Sequence, residues 1–135
     1  MDELGKQLGL PAKNLAKNAM VLEQGRTAVE LARDAGVTIG FGTDLIGETQ
    51  IRQNEELAIQ GGIRPAEEVL RSMWQVNAKL CHLEGKIGTL SPGAFGDVVV
   101  SNVDPLEDID AFAQPETAFT HVIQGGDVVV DRSAS

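Results

Sequence analysis

One segment constrains this chain more than any other: Val37-Thr38-Ile39-Gly40-Phe41, a short run that is largely apolar on both faces. A strand that alternates apolar and polar residues can leave one face in water. This one cannot, so it reads as a buried strand of a parallel sheet, covered on both sides. Its backbone N–H and C=O groups run along two edges, and each needs a partner once water is excluded. Residues 1–85 contain no second strand of this buried parallel type. The chain is therefore expected to be a piece of a larger fold, or to fold by association through its unpaired strand edges as a homo-oligomer.

Helical patterns flank the segment. From Pro11, which suits the first turn of a helix, to Ala35 the apolar residues Ala28, Val29, Ala32 and Ala35 recur at helical spacing. Gly25 interrupts that run, and Gly36 stands where a left-handed C-terminal cap belongs. After a loop, a second helix is expected from Thr49 or Gln50 to about Gln60, stopped by Gly61-Gly62. Pro65 opens a third, with Glu67 and Glu68 in its first turn and Val69, Leu70, Met73 and Trp74 as its apolar face. A short fourth, Ala78 to Leu83, ends at Gly85.

From Lys86 the character changes to strands and turns. Ser91-Pro92-Gly93 and Asp104-Pro105-Leu106 are turn signals, and Gly96-Asp97-Val98-Val99-Val100 begins a strand. Two apolar runs, Ala118 to Gln124 and Asp127 to Asp131, are joined by Gly125-Gly126, a specific hairpin signal. The chain thus divides at about residue 85. Residues 1–85 carry helix–strand–helix elements of an α/β sheet, and residues 86–135 carry a small β unit.

Charge narrows the partners. A net charge of −9 with no local cluster of Lys and Arg argues against nucleic acid and against an anionic membrane surface. Cys81 is the only cysteine, which rules out a disulfide within the chain and fits a cytoplasmic location. Met1-Asp2-Glu3 lacks the basic and apolar regions of a signal peptide, and no apolar run approaches the ~18 residues of a membrane span.

The chemistry-bearing candidate is Asp44. It follows Gly40-Phe41-Gly42-Thr43, at the C-terminal tip of the predicted strand. In α/β barrels that rim carries the reacting groups, so Asp44 is a candidate metal ligand or general base. An Asp there also caps a following loop or helix, and the local sequence leaves both readings open. Glu48, Arg52, Gln53, Glu55 and Glu56 follow closely and could line a pocket over the strand tip. Arg52 and Glu56 are equally an i,i+4 pair on a solvated helix face. His82 and His121 are the only histidines, and neither HxH nor HExxH occurs, so both read as structural or surface residues. Cys81 and His82 are sequence neighbours and do not face each other on a helix. Glycine-rich phosphate loops are absent.

Taken in order, these segments resemble the C-terminal part of a metal-dependent amidohydrolase. The resemblance rests on Ala35 through Glu48, Pro65-Ala66-Glu67-Glu68, Asn77-Ala78-Lys79-Leu80, Gly85 through Gly93, Gly96 through Val100, Asp104-Pro105-Leu106, and Val122 through Val129. The imidazolonepropionase-like and Xaa-Pro dipeptidase-like branch is the most similar. Leu45-Ile46-Gly47-Glu48 and the Gln53-x-x-Glu56 spacing favour the dipeptidase side.

The resemblance implies a (β/α)8 barrel with a small β-sandwich built from both chain ends. Residues 1–85 would be the last β/α units and residues 86–135 a share of the sandwich. Asp44 would be the aspartate after the last barrel strand, touching the metal site and handling the proton of the water that attacks an amide carbonyl. The cofactor implied is zinc or a similar divalent ion, and the substrate a small amide or dipeptide of Xaa-Pro or N-acyl amino acid type. The family's HxH, its lysine and two later histidines have no counterpart in this chain, and a barrel takes ~250 residues. Alone, the chain is expected neither to hold the metal nor to hydrolyse. A non-catalytic self-associating module derived from the same family is the alternative.

Overall fold

The structure, a computed structural model, describes residues 12–133. They fall into two units, divided between Ile39 and Gly40.

The first unit is one helix, α1 (Ala12–Asp34). Gly25 does not break it. A lone glycine costs a helix about 1 kcal/mol relative to Ala, which a helix of 23 residues absorbs. Pro11 lies outside the described residues. At the other end Gly36 has φ 71°. Its N–H donates to the Arg33 carbonyl at 2.9 Å, and the Val37 N–H to that of Ala32 at 2.9 Å. This is a Schellman cap, and it satisfies two carbonyls that the helix end would leave bare.

The predicted strand Val37–Phe41 is not paired as a strand. No parallel ladder joins the described residues; a single parallel bridge links Glu84 and Ile87. The reason is the one that the apolar run itself raises. Pairing a buried parallel strand takes two neighbouring strands, and the described residues contain neither. The α/β character survives as a set of helices beside an antiparallel sheet.

The second unit starts at Gly40. A 3-10 turn covers Gly47–Arg52 and is followed by α2 (Glu55–Gly61). The single helix expected here is thus split in two. α3 (Ala66–Arg71) runs through a π turn (Ser72–Val76) into α4 (Asn77–Leu80) without a break in the helical backbone. Val69 and Leu70 are buried as expected, and Met73 packs against the core. Trp74 is 42% exposed. It falls inside the π turn, which inserts a residue and rotates the downstream face by about 100° relative to a straight helix.

β1 (Val98–Ser101), β2 (Phe119–Gln124) and β3 (Asp127–Asp131) form one antiparallel sheet in the order β1-β2-β3. Two short helices, α5 (Ile109–Phe112) and α6 (Pro115–Ala118), lie between β1 and β2. The predicted hairpin is present. Gly125 and Gly126 both have positive φ, 61° and 93°, as a two-residue turn between twisted strands demands. Asp97 ties β1 to this turn, its Oδ1 accepting from the Gly125 N–H at 2.7 Å.

The core gathers Leu57, Val69, Leu70, Phe112 and Ala113, with Phe41, Met73, Ile109 and Phe119 packed against it. Phe112 and Phe119 meet edge to face, their centroids 5.0 Å apart. Phe41 therefore links the segment that carries Asp44 to the packed interior.

Candidate functional site

Asp44 occupies an unusual backbone position. Its φ is 52°, in the left-handed region that side chains with a Cβ rarely enter. The turn is closed locally: the Thr43 hydroxyl accepts from the Leu45 N–H at 3.3 Å, across Asp44. The Asp44 side chain is exposed, and among the described residues no hydrogen bond or ion pair engages its carboxylate. It does not cap the helical turn that follows, because Ile46 stands at that cap and offers no side-chain bond.

The footing of this turn is set three residues earlier. The Phe41 N–H donates to Asn77 Oδ1 at 3.0 Å, and Asn77 Nδ2 donates to the Phe41 carbonyl at 2.7 Å. Gly40 lets the helix come this close. A Cβ at Gly40 would lie 2.8 Å from Leu80 Cδ1 and 3.1 Å from Asn77 Oδ1. The segment therefore meets α4 through backbone on one side and a carboxamide on the other.

The acidic cluster after Asp44 is largely engaged with itself. Arg52 makes a two-pronged contact with Glu55, Nε to Oε1 at 2.6 Å and Nη2 to Oε2 at 2.7 Å. The expected Arg52–Glu56 pair gives way because a 3-10 turn has three residues per turn, which brings i and i+3 together. This Arg52 contact holds the Glu55 carboxyl below its usual range. Glu56 instead accepts from Gln60 Nε2 at 2.6 Å, and Gln60 passes the chain to the buried Arg64, which reaches Ser72 Oγ at 2.9 Å. Glu48 and Gln53 are exposed.

Among these polar groups stand two apolar residues to which the sequence reading gave no role at the site. Ile46 is 78% exposed and Ile51 is 87% exposed. Ile46 immediately precedes the 3-10 turn after Asp44, and Ile51 lies within it.

The histidines lie elsewhere. His82 ends α4 in a left-handed conformation, φ 56°. His121 sits on β2, with Nε2 3.4 Å from Asp131 Oδ1 on β3. Hydrogen bonds from the Ser133 hydroxyl and N–H hold the Asp131 carboxyl below its usual range. Among the described residues no three of His, Cys, Asp and Glu come together around one point. A catalytic zinc takes three protein ligands and a water. Asp44 offers one donor, so the described residues do not by themselves fit a metal centre.

No helix among the described residues is long and apolar enough to cross a membrane.

Comparison with known proteins gives these features a context. The Amidohydrolase family matches residues 1–129. The chain is 31% identical over 119 residues to an ochratoxinase of Aspergillus niger, covering 87% of this chain and 25% of that protein. Its fold is similar to a prolidase in complex with N-methylphosphonate-L-proline, with a TM-score of 0.85 and 35% identity over 97% of this chain and 32% of the other. It is also similar to a Xaa-Pro dipeptidase with methionine bound in the active site, with a TM-score of 0.70 and 26% identity over 88% of this chain and 29% of the other. The chain thus spans a quarter to a third of the length of these relatives.

Proposed function

The chain belongs to the amidohydrolase family, and on that premise we propose that it is the C-terminal share of a hydrolase acting on carbon–nitrogen bonds, with Asp44 as its proton-handling carboxylate. Residues 1–85 would be the share of the barrel and residues 86–135 the share of the sandwich.

One observation carries the reading. An exposed carboxylate is held in a left-handed turn, on a segment anchored to the core by Phe41 and Asn77. Backbone conformations of this kind persist where surrounding structure enforces them, and they gather at functional sites. A base that must meet a water and a carbonyl needs this fixed placement more than it needs a partner of its own. Asp44 would take a proton from water as it adds to the amide carbonyl and return it to the departing nitrogen.

The divalent metal of the family would need donors from outside the described residues, with Asp44 contributing one. Ile46 and Ile51 would offer apolar contact to a substrate side chain. The prolidase and dipeptidase likenesses favour Xaa-Pro dipeptides, with N-acyl amino acids as the wider class.

The test is hydrolysis of a panel of Xaa-Pro dipeptides and N-acyl amino acids, by the chain alone and by the natural protein that carries it. The chain alone should turn over none of the panel, with or without zinc. Turnover by the chain alone would overturn the reading.

A second reading, a self-associating module without catalysis, draws on the sheet. Val99, Val100, Val128 and Val129 are each about half exposed. A defined dimer in sedimentation, together with an inactive natural protein, would favour that reading.

A further inference from the structure

We propose that Asn77 is the positioning residue of Asp44: its carboxamide stands in for the peptide group of a neighbouring strand and fixes where the carboxylate-bearing turn begins. The proposal deepens the hydrolase reading and rests on it for its relevance to catalysis.

A peptide group offers one N–H donor and one C=O acceptor, and the asparagine carboxamide offers the same pair on a side chain. Asn77 uses both on one residue, Phe41, accepting its N–H at 3.0 Å and donating to its carbonyl at 2.7 Å. This is the pairing that one residue of a sheet strand receives from its neighbour. It comes from a helix 36 residues away in the chain, in a stretch whose strand partners are absent from the described residues.

Three further features aim the carboxamide. The π turn Ser72–Val76 ends immediately before Asn77, and its extra residue sets the face on which Asn77 emerges. Gly40 has no Cβ to hold the helix away, and an alanine there would meet Asn77 Oδ1 and Leu80 Cδ1 directly. Phe41 packs against the core through its ring, so its backbone and side chain are both held. Among the described residues, no such anchor follows Phe41 until the Thr43–Leu45 bond closes around Asp44. Thr43 shapes the turn, and Asn77 locates it.

The experiment is NMR on this chain, comparing wild type with Asn77→Ala and Asn77→Asp. Amide exchange at Phe41 and backbone order parameters at Gly42, Thr43 and Asp44 are read against Val69 as an internal reference for the fold. In Asn77→Ala, Phe41 exchange should accelerate by about tenfold, the upper end for loss of one hydrogen bond. Order at Gly42–Asp44 should fall from about 0.85 toward about 0.6, while Val69 is unchanged. Asn77→Asp keeps the acceptor for the Phe41 N–H and loses the donor, so its Phe41 exchange and its order should both lie between the other two. If Asn77→Ala unfolds the chain, Asn77→Asp carries the test by the same readouts. Rigid Gly42–Asp44 in either folded variant, with Phe41 protection lost, would overturn the proposal, because Asn77 would then hold Phe41 without positioning Asp44. None of these readouts depends on hydrolysis, so failure here is distinct from failure of the hydrolase reading.

Discussion

Replacing Asp44 in turn by Gly, Asn and Ala separates what its carboxylate does from what its backbone costs. A residue with a Cβ pays about 1–2 kcal/mol in the left-handed well, and Asp and Asn sit at the low end because their side chains bond locally. Glycine avoids that cost and gives back about 0.5–1 kcal/mol through its looser unfolded chain. At φ 52° the two nearly offset. Asp44→Gly should lie between wild type and about 0.5 kcal/mol more stable. Asp44→Asn should match wild type, and Asp44→Ala should lose about 1 kcal/mol. Urea unfolding followed by fluorescence of Trp74 resolves this order. The side chain is exposed, so burial contributes nothing to the ranking. An alanine variant as stable as the glycine variant would refute the left-handed assignment, and with it the argument that this turn is held under strain for a purpose.

Other expectations follow from single interactions. His82 holds the left-handed position of a Schellman cap, its N–H bonded to the Lys79 carbonyl at 3.1 Å and that of Leu83 to Ala78 at 2.8 Å. His82→Gly should therefore stabilise the chain by about 0.5–1 kcal/mol in urea unfolding, and a loss would mean that the imidazole has a role of its own. Asp97→Ala removes the acceptor for the Gly125 N–H, and should cost about 1 kcal/mol and speed amide exchange at Gly125. Glu55 should titrate below the usual carboxylate range by carbon NMR, because the Arg52 guanidinium bonds its carboxylate, and return toward that range in Arg52→Gln. Because the folded value is depressed, the stability from this pair is present above the unfolded value and is lost as pH falls through the folded one. The pair is half exposed on the Glu55 side, so the loss should stay below about 1 kcal/mol.

What was legible in the sequence was local. Gly36 and Gly125-Gly126 announced a helix cap and a hairpin because only glycine adopts those backbone angles without cost. The pairing of Val37–Phe41 was not legible in the same way. Apolar composition says that a segment wants to be buried, and says nothing of which group will satisfy its backbone. At Phe41 that group is the Asn77 side chain, reached through a π turn for which Ser72–Val76 carries no local signal. The fourth helix likewise stops at Leu80 rather than running to Leu83, because His82 takes a conformation usually left to glycine. For the site, the sequence singled out Asp44 from its place after an apolar run. Its left-handed backbone, and the exposed Ile46 and Ile51 beside it, depend on the turn geometry and emerged from the fold.

The most direct test of the central claim is the turnover of Xaa-Pro dipeptides by the natural protein that carries this chain, as wild type and as Asp44→Asn. The substitution keeps the shape and the left-handed turn and removes the proton acceptor. A loss of roughly 100-fold to 10,000-fold in kcat, with folding unchanged, is the expected result. Turnover within a few-fold of wild type would contradict the account, since the carboxylate of Asp44 would then handle no proton in the reaction.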